Sequence, residues 1–358
     1  MTEAQLLQLH RDLVRIPSVS HEEGEIADFV SEFLSSAGVE VHRLHHNVIA
    51  RTGRGQRLLL NSHLDTVPPN SSWTRDPWDP AQEDGRVYGL GSNDTKASVA
   101  AMIAAFLRAH ESGGPCEVVL MLVGDEETGG LGTEVAWPWL RDELGWRPNG
   151  VVVGEPTDLH IGTAQKGLMI LNLIARGTAC HAANADSLGI DSPGWQLARD
   201  LVALKSANLG SPHPELGPTT LQVTMLRGAE VSNQVPGQAS ATLDIRTSPG
   251  IEHGALVDYL SSLVEGEIEP RSTRLLPYAC PPDAAIVRAA QQAAPDRRTF
   301  ASQTMSDQVF FQDVPTIKVG PGVSARSHSA DEFVLESELL DGARFYSALI
   351  DRFAEVAS

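Results

Sequence analysis

Five side chains able to bind metal sit just beyond the ends of apolar strands, in the chain order His63, Asp94, Glu127, Glu155, His328. Two imidazoles and three carboxylates form a donor set suited to a pair of divalent cations that activate water for hydrolysis. Each lies in its own motif: Ser62-His63-Leu64-Asp65-Thr66, Gly91-Ser92-Asn93-Asp94, Gly124-Asp125-Glu126-Glu127-Thr128-Gly129-Gly130, Gly154-Glu155-Pro156-Thr157 and Ser327-His328-Ser329. Taken singly, each has a bland explanation. His63 with Asp65 is a loop histidine beside a turn acid, and Asp94 is an N-cap carboxylate for the helix that follows. Asp125-Glu126-Glu127 is a solvated acidic turn, and Glu155 is a charged strand end. Surface carboxylates do not, however, predict five such groups delivered to strand ends from distant stretches of chain. Burying adjacent carboxylates is costly unless cations neutralise them. A glutamate doublet also lets one side chain bind metal while its neighbour moves a proton. Asp65, two residues past His63, is placed to hold the imidazole's orientation.

Such a site needs strands that stop at one edge. Arg57 to Asn61, Glu117 to Val123, Gly150 to Val153 and Thr316 to Val319 read as buried strands, each running into one of the motifs. Helical spacing covers Leu6 to Val14, Glu23 to Leu34, Ala97 to His110 and Glu336 to Val356. This alternation predicts an open, mainly parallel α/β sheet, where ligands gather outside the carboxyl ends of the strands. Near Lys166 the texture changes to strand, helix, strand, strand, helix and a last strand near Arg274. That is the pattern of a ferredoxin-like α+β unit. The expected organisation is a discontinuous α/β domain over residues 1–166 and 278–358, with an α+β domain over 167–277 inserted. The stretch from Pro68 to Pro80 reads as a long loop, and His42, His45 and His46 as surface residues.

Bulk composition agrees with an enzyme of two domains. The chain has 358 residues, 42% of them hydrophobic, and a net charge of −19 from 27 basic and 46 acidic side chains. So acidic a chain argues against nucleic acid and anionic membranes as partners. No apolar run approaches the ~20 residues a membrane helix needs. The three cysteines, Cys116, Cys180 and Cys280, are unclustered. With a polar amino terminus, they lead us to expect a cytoplasmic protein. Competing motifs fail: the acidic turn lacks the final glutamate of a calcium loop, Gly89-Leu90-Gly91 lacks the third glycine of a dinucleotide fingerprint, and no GxSxG elbow is present. Cys180 and His181 are adjacent, so a strand would turn them to opposite faces.

Together the motifs resemble the M20 family of dinuclear zinc amidohydrolases over essentially the whole chain. The resemblance is to its acetylornithine deacetylase and succinyl-diaminopimelate desuccinylase group. Gly89 to Asp94, Gly154 to Thr157, Gln165 to Met169 and Ala325 to Glu332 look most like the acetylornithine deacetylase branch, including variants acting on N-acetylcitrulline or N-succinylornithine. The resemblance implies a zinc-peptidase-like catalytic domain with an inserted lid through which the protein forms a homodimer. It implies that His63 and Glu155 hold one zinc and Glu127 and His328 the other, with Asp94 bridging; cobalt or manganese could replace zinc. Asp65 would orient His63, and Glu126 would act as general acid and base. His181, in Gly177-Thr178-Ala179-Cys180-His181-Ala182-Ala183, matches a lid histidine that reaches the neighbouring subunit's active site and stabilises the oxyanion. Asn233 and Arg246, joined by Arg326, would bind the substrate carboxylate. The implied reaction is removal of an acyl group from the α-amine of ornithine or a related amino acid in arginine biosynthesis. Succinyl-diaminopimelate, an amino-protected lysine or a dipeptide are the alternative substrates. Thr95-Lys96-Ala97-Ser98 departs from many relatives, which carry a glycine after the lysine.

Overall fold

The computed structural model describes residues 1–357. The chain forms two compact units, one of Met1–Thr163, Cys280–Ala301 and the stretch from Ser306 onward, the other of Ala164–Ala279 with Ser302–Met305. The short Ser302–Met305 segment carries no pattern setting it apart from the α/β chain around it. It groups with the second unit, where the Gln303 side-chain amide donates to the Leu216 carbonyl (3.3 Å).

In the first unit, strands run in the spatial order Val41–Leu44, Asn47–Thr52, Glu117–Val123, Arg57–His63, Gly150–Val153, Thr316–Lys318, Ile161–Gln165. The four from Glu117–Val123 to Thr316–Lys318 are mutually parallel, so their carboxyl ends share one edge. The flanking strands pair antiparallel, which makes the sheet mixed. Part of that difference is a hairpin absent from the sequence reading: Val41–Leu44 returns as Asn47–Thr52 through a two-residue turn, with Leu44 opposite Asn47 and His45 at φ 56°. The central strands are near-continuous apolar runs because helices cover them. Lys96–Ser112 buries Val99, Met102, Ile103 and Phe106, and its alanines allow close approach. Glu336–Val356 buries Leu339, Phe345, Leu349 and Phe353. Truncating a buried side chain of the central strands, as in Leu59→Ala on Arg57–His63, should cost about 2–5 kcal/mol in denaturant unfolding.

The expected loop from Pro68 to Pro80 holds no strand or helix, and a small sheet of Gln82–Glu83, Arg86–Tyr88 and Phe333–Leu335 follows it. The Asp331 carboxylate accepts from the Thr74 and Arg75 backbone N–H groups (both 3.0 Å) and from the Thr74 hydroxyl. The loop is thus tied to the segment that carries His328.

The second unit is an antiparallel sheet in the order Thr220–Arg227, Gln238–Thr247, Gly167–Arg176, Glu267–Leu275, with helices Pro193–Lys205 and His253–Ser262 between strands in sequence. This is the βαββαβ order read from the sequence. Alternation decides which face is covered. Met169, Leu171, Leu173 and Ala175 join Ala239, Ala241, Leu243 and Ile245 against Leu197, Leu204, Leu256 and Leu260. The intervening residues form the opposite, open face.

Candidate metal centre

The parallel strands deliver their polar ends to one place. His63 is the last residue of its strand and is buried, its Nδ1 3.0 Å from the Asp65 carbonyl oxygen and 3.4 Å from the Asp65 carboxylate. Its Nε2 lies 3.5 Å from Asp94 Oδ1, while Asp94 Oδ2 lies 3.7 Å from His328 Nε2. His328 Nε2 is also 2.9 Å from Glu127 Oε1. One carboxylate therefore turns an oxygen toward each imidazole. Donor atoms of His63, Asp94 and Glu127 fall within 4.8 Å of one another. Glu155 follows the Gly150–Val153 strand and lies within electrostatic reach of Asp94, His63 and Glu127.

Charge explains what belongs there. Burial, reinforced by Glu155, Asp307 and Glu127, raises Glu126 well above the carboxylate range. Burial lifts Glu155 and Glu332 to about 8 and Asp307 to about 7. Burial disfavours a charged His63, but contact with Asp65 and Asp94 outweighs it and holds the ring well above its ordinary value. A hydrogen bond to Glu127 raises His328 to about 9. Without metal, Glu126, Glu155, Glu332 and Asp307 hold protons more tightly than ordinary carboxyls, while for Asp65 and Asp94 burial is outweighed by His63, which holds them low. Two divalent cations supply the charge those protons supply, so this donor set fits them.

Supporting contacts come from Asp65 and from residues to which the sequence assigns no role. The Asp65 carboxylate accepts from the Glu126 and Glu127 backbone N–H groups (both 3.1 Å) and from the Ser20 hydroxyl (2.7 Å). It thus pins the acidic turn besides facing His63. Buried Glu23 accepts from the Asp125 N–H (3.0 Å), and Asn47 accepts from the Gly124 N–H (3.1 Å). Glu332 Oε1 accepts from the N–H groups of Asn93 (2.8 Å) and Asp94 (2.9 Å). Glu332 lies in the quoted Ala325–Glu332 motif, which hinted at it; nothing local to Glu23 did. Glu332→Ala is expected to weaken metal binding by about 10- to 100-fold, read by competition with a chromogenic chelator. Unchanged affinity would mean that the Asn93–Asp94 backbone keeps its place unaided.

Asn93 fastens the His328 segment too. Its side chain accepts from the Val323 N–H (2.9 Å) and donates to the Val323 carbonyl (3.2 Å). Gly322 makes this possible: its φ is 83°, and a Cβ there would lie 2.3 Å from Asn93 Oδ1. Gly322→Ala should therefore cost about 1–3 kcal/mol in denaturant unfolding. A variant as stable as the wild type would show that the turn relaxes freely.

The other expected site residues are engaged as follows. Arg326 donates both terminal nitrogens to Glu338 (2.6 and 3.0 Å) and lies 4.5 Å above the Phe333 ring, so a substrate carboxylate would compete with Glu338. In the second unit, Arg246 forks onto Asp244 (2.8 and 3.1 Å). The Asn233 carbonyl accepts from the Ala182 N–H (2.9 Å), placing Asn233 beside His181. His181 is exposed, and its Nδ1 accepts from the Ala183 N–H (3.2 Å). A neutral ring accepting at Nδ1 carries its proton on Nε2 and presents a donor. No helix of the described residues is long and apolar enough to cross a membrane.

Comparison with known proteins gives the family. Residues 59–352 match the family described as peptidase family M20/M25/M40. The chain is 31% identical to a succinyl-diaminopimelate desuccinylase of Rhodospirillum centenum, covering 97% of each chain. It is 26% identical to an acetylornithine deacetylase of Edwardsiella ictaluri over 98% of each. Among solved structures, the aminopeptidase PepT of Bacillus cereus superposes with a TM-score of 0.81 at 20% identity, covering 99% of both chains. With a matching family model over most of its length, the chain belongs to peptidase family M20/M25/M40 and is a metal-dependent hydrolase.

Proposed function

We propose that this protein is a dinuclear amidohydrolase, zinc being the natural occupant, that splits an N-acylated amino acid into a carboxylate and a free α-amine. The observation that carries this reading is Asp94 placed between the two imidazoles with Glu126 beside Glu127. His63 and Glu155 would hold one cation and Glu127 and His328 the other. The cations would lower the pKa of water toward ~7 and polarise the scissile carbonyl. Glu126 takes the proton of the attacking water and returns it to the leaving nitrogen. Its backbone N–H is fixed by Asp65, so the carboxylate starts from one position. His181 offers its Nε2–H to the developing oxyanion, and Asn233, Arg246 and Arg326 select a substrate carboxylate. The second unit acts as a lid and assembles the homodimer. Its edge strand Thr220–Arg227, with exposed Val223, Met225 and Leu226, supplies a surface for pairing.

The leading substrate is an N-acyl-ornithine or a close analogue such as N-acetylcitrulline, by the motifs Gly89–Asp94 and Ala325–Glu332. A second reading, desuccinylation of succinyl-diaminopimelate, is favoured by the 31% identity to a desuccinylase along the whole chain. Amine release by the zinc-loaded protein from N-acetylornithine, N-acetylcitrulline, N-succinylornithine, succinyl-diaminopimelate and a few dipeptides separates them. Preference for an ornithine or citrulline derivative supports the first reading. Turnover confined to succinyl-diaminopimelate or dipeptides discards it and leaves the dinuclear chemistry in place.

A further inference from the structure

The open face of the second unit's sheet carries four arginines and three acids whose pairing does not come out even. Arg176 reaches both Glu267 and Glu269 (3.4 Å each), and Arg246 forks onto Asp244. Arg227 and Arg271 are left, both exposed, with no acid within 4.0 Å among the described residues. In a chain with 46 acidic and 27 basic side chains, two cations without partners on one face run against composition.

They are not scattered. Arg227 lies on one edge strand, Thr220–Arg227, and Arg271 on the other, Glu267–Leu275. Between them is a concavity of ≈ 330 Å³, lined by both arginines and floored largely by the polar side chains of Asn172, Gln238, Ser240 and Thr242. Alternation puts these floor residues on the face opposite the apolar core. Strand spacing of about 4.8 Å sets the edge strands roughly 14 Å apart, and because Arg227 is level with Glu267 while Arg271 lies four residues further on, the two arginines stand at diagonal corners roughly 18 Å apart. An arginine arm spans about 7 Å, so the two planar forks can reach over the floor toward one ligand from opposite corners. The volume suits a small molecule, at the lower end of the usual range.

We propose that this trough binds a small, doubly charged oxyanion, clasped between Arg227 and Arg271 and hydrogen-bonded by the Ser240 hydroxyl and by the Asn172 side-chain N–H, which the Thr242 hydroxyl orients by donating to Asn172 Oδ1 (3.2 Å). The site is distinct from the hydrolase reading, since its lining includes no candidate metal ligand and none of His181, Asn233, Arg246 and Arg326. Two sources share the chemistry: a dicarboxylate and a phosphate monoester.

Titration calorimetry on the metal-loaded full chain at low ionic strength tests this, with succinate and inorganic phosphate as separate probes. The metal centre can bind anions too, so the comparison is with an Arg227→Gln, Arg271→Gln double variant. The wild type should show one saturable event more than the double variant, and Arg227→Lys should weaken that event about 10-fold by losing the fork. Succinate binding alone identifies a dicarboxylate site, phosphate binding alone a phosphate site, and binding of both a general dianion site. Identical isotherms for the wild type and the double variant overturn the proposal. If the double variant does not fold, hydrogen exchange on the wild type decides. Probe-induced protection of Gln238–Thr247 supports the site, and its absence for both probes sinks it.

Discussion

Replacing Glu126 by glutamine is expected to lower kcat by about 10²–10⁴-fold while bound metal stays at the wild-type amount. The change preserves shape and removes only the ability to take and return a proton. The donor atoms that cluster within 4.8 Å come from His63, Asp94 and Glu127, so metal should bind normally. The acidic turn should hold as well, because Asp65 grips the backbone N–H groups of residues 126 and 127 rather than the Glu126 side chain. Steady-state kinetics on the best substrate of the panel, paired with metal analysis of the same sample, reads both quantities. Wild-type turnover in the variant would remove Glu126 from the chemistry. Loss of metal along with turnover would make it a structural member of the centre instead.

Stripping the metal should make stability fall as pH rises, with the thermal midpoint dropping by at least about 5 °C between pH ~5 and ~9. In the metal-free cluster, burial lifts Glu155 and Glu332 to about 8 and Asp307 to about 7. Their unfolded values lie near 4. Between those limits the folded chain holds more protons than the unfolded one, so each carboxyl disfavours the fold increasingly until pH passes its raised value. His328 acts in the same direction. Its bond to Glu127 raises it to about 9, so the stability it contributes is complete below ~6.5 and gone once pH exceeds that value. Asp94 and Asp65 act oppositely. Burial opposes their ionisation, but His63 outweighs it and holds both low, so their contribution is present at neutral pH and lost in acid, below ~4. Saturating zinc replaces the retained protons and should flatten the fall, making metal stabilisation larger at pH ~8.5 than at pH ~5.5. Thermal melts of chelator-treated and zinc-loaded protein across this range check the sign. A metal-free midpoint that is level or rises with pH would mean that the acids are not held together as described.

The sequence by itself determined the parallel core strands, the helices and the ferredoxin-like order of the inserted unit, and it named the candidate donors at the strand ends. Each was legible because its signal is local. An apolar run ending in Ser62-His63 or Gly124-Asp125-Glu126-Glu127 states both the strand and the group at its end. Alternation over Gln238–Thr247 states which side of that strand is covered. The tertiary structure alone decided how the donors are held and paired. Glu332 and the Asn93 N–H that it anchors are 239 residues apart, and Glu23 and the Asp125 N–H are separated by 102. No periodicity reports such a meeting, because a carboxylate facing a distant backbone looks in sequence like one facing water. The same limit hid the Val41–Thr52 hairpin, whose partner strand Glu117–Val123 lies far along the chain. It also hid the trough between Arg227 and Arg271: an arginine without a partner is defined by what the fold leaves out of reach, and residue type and spacing do not encode that.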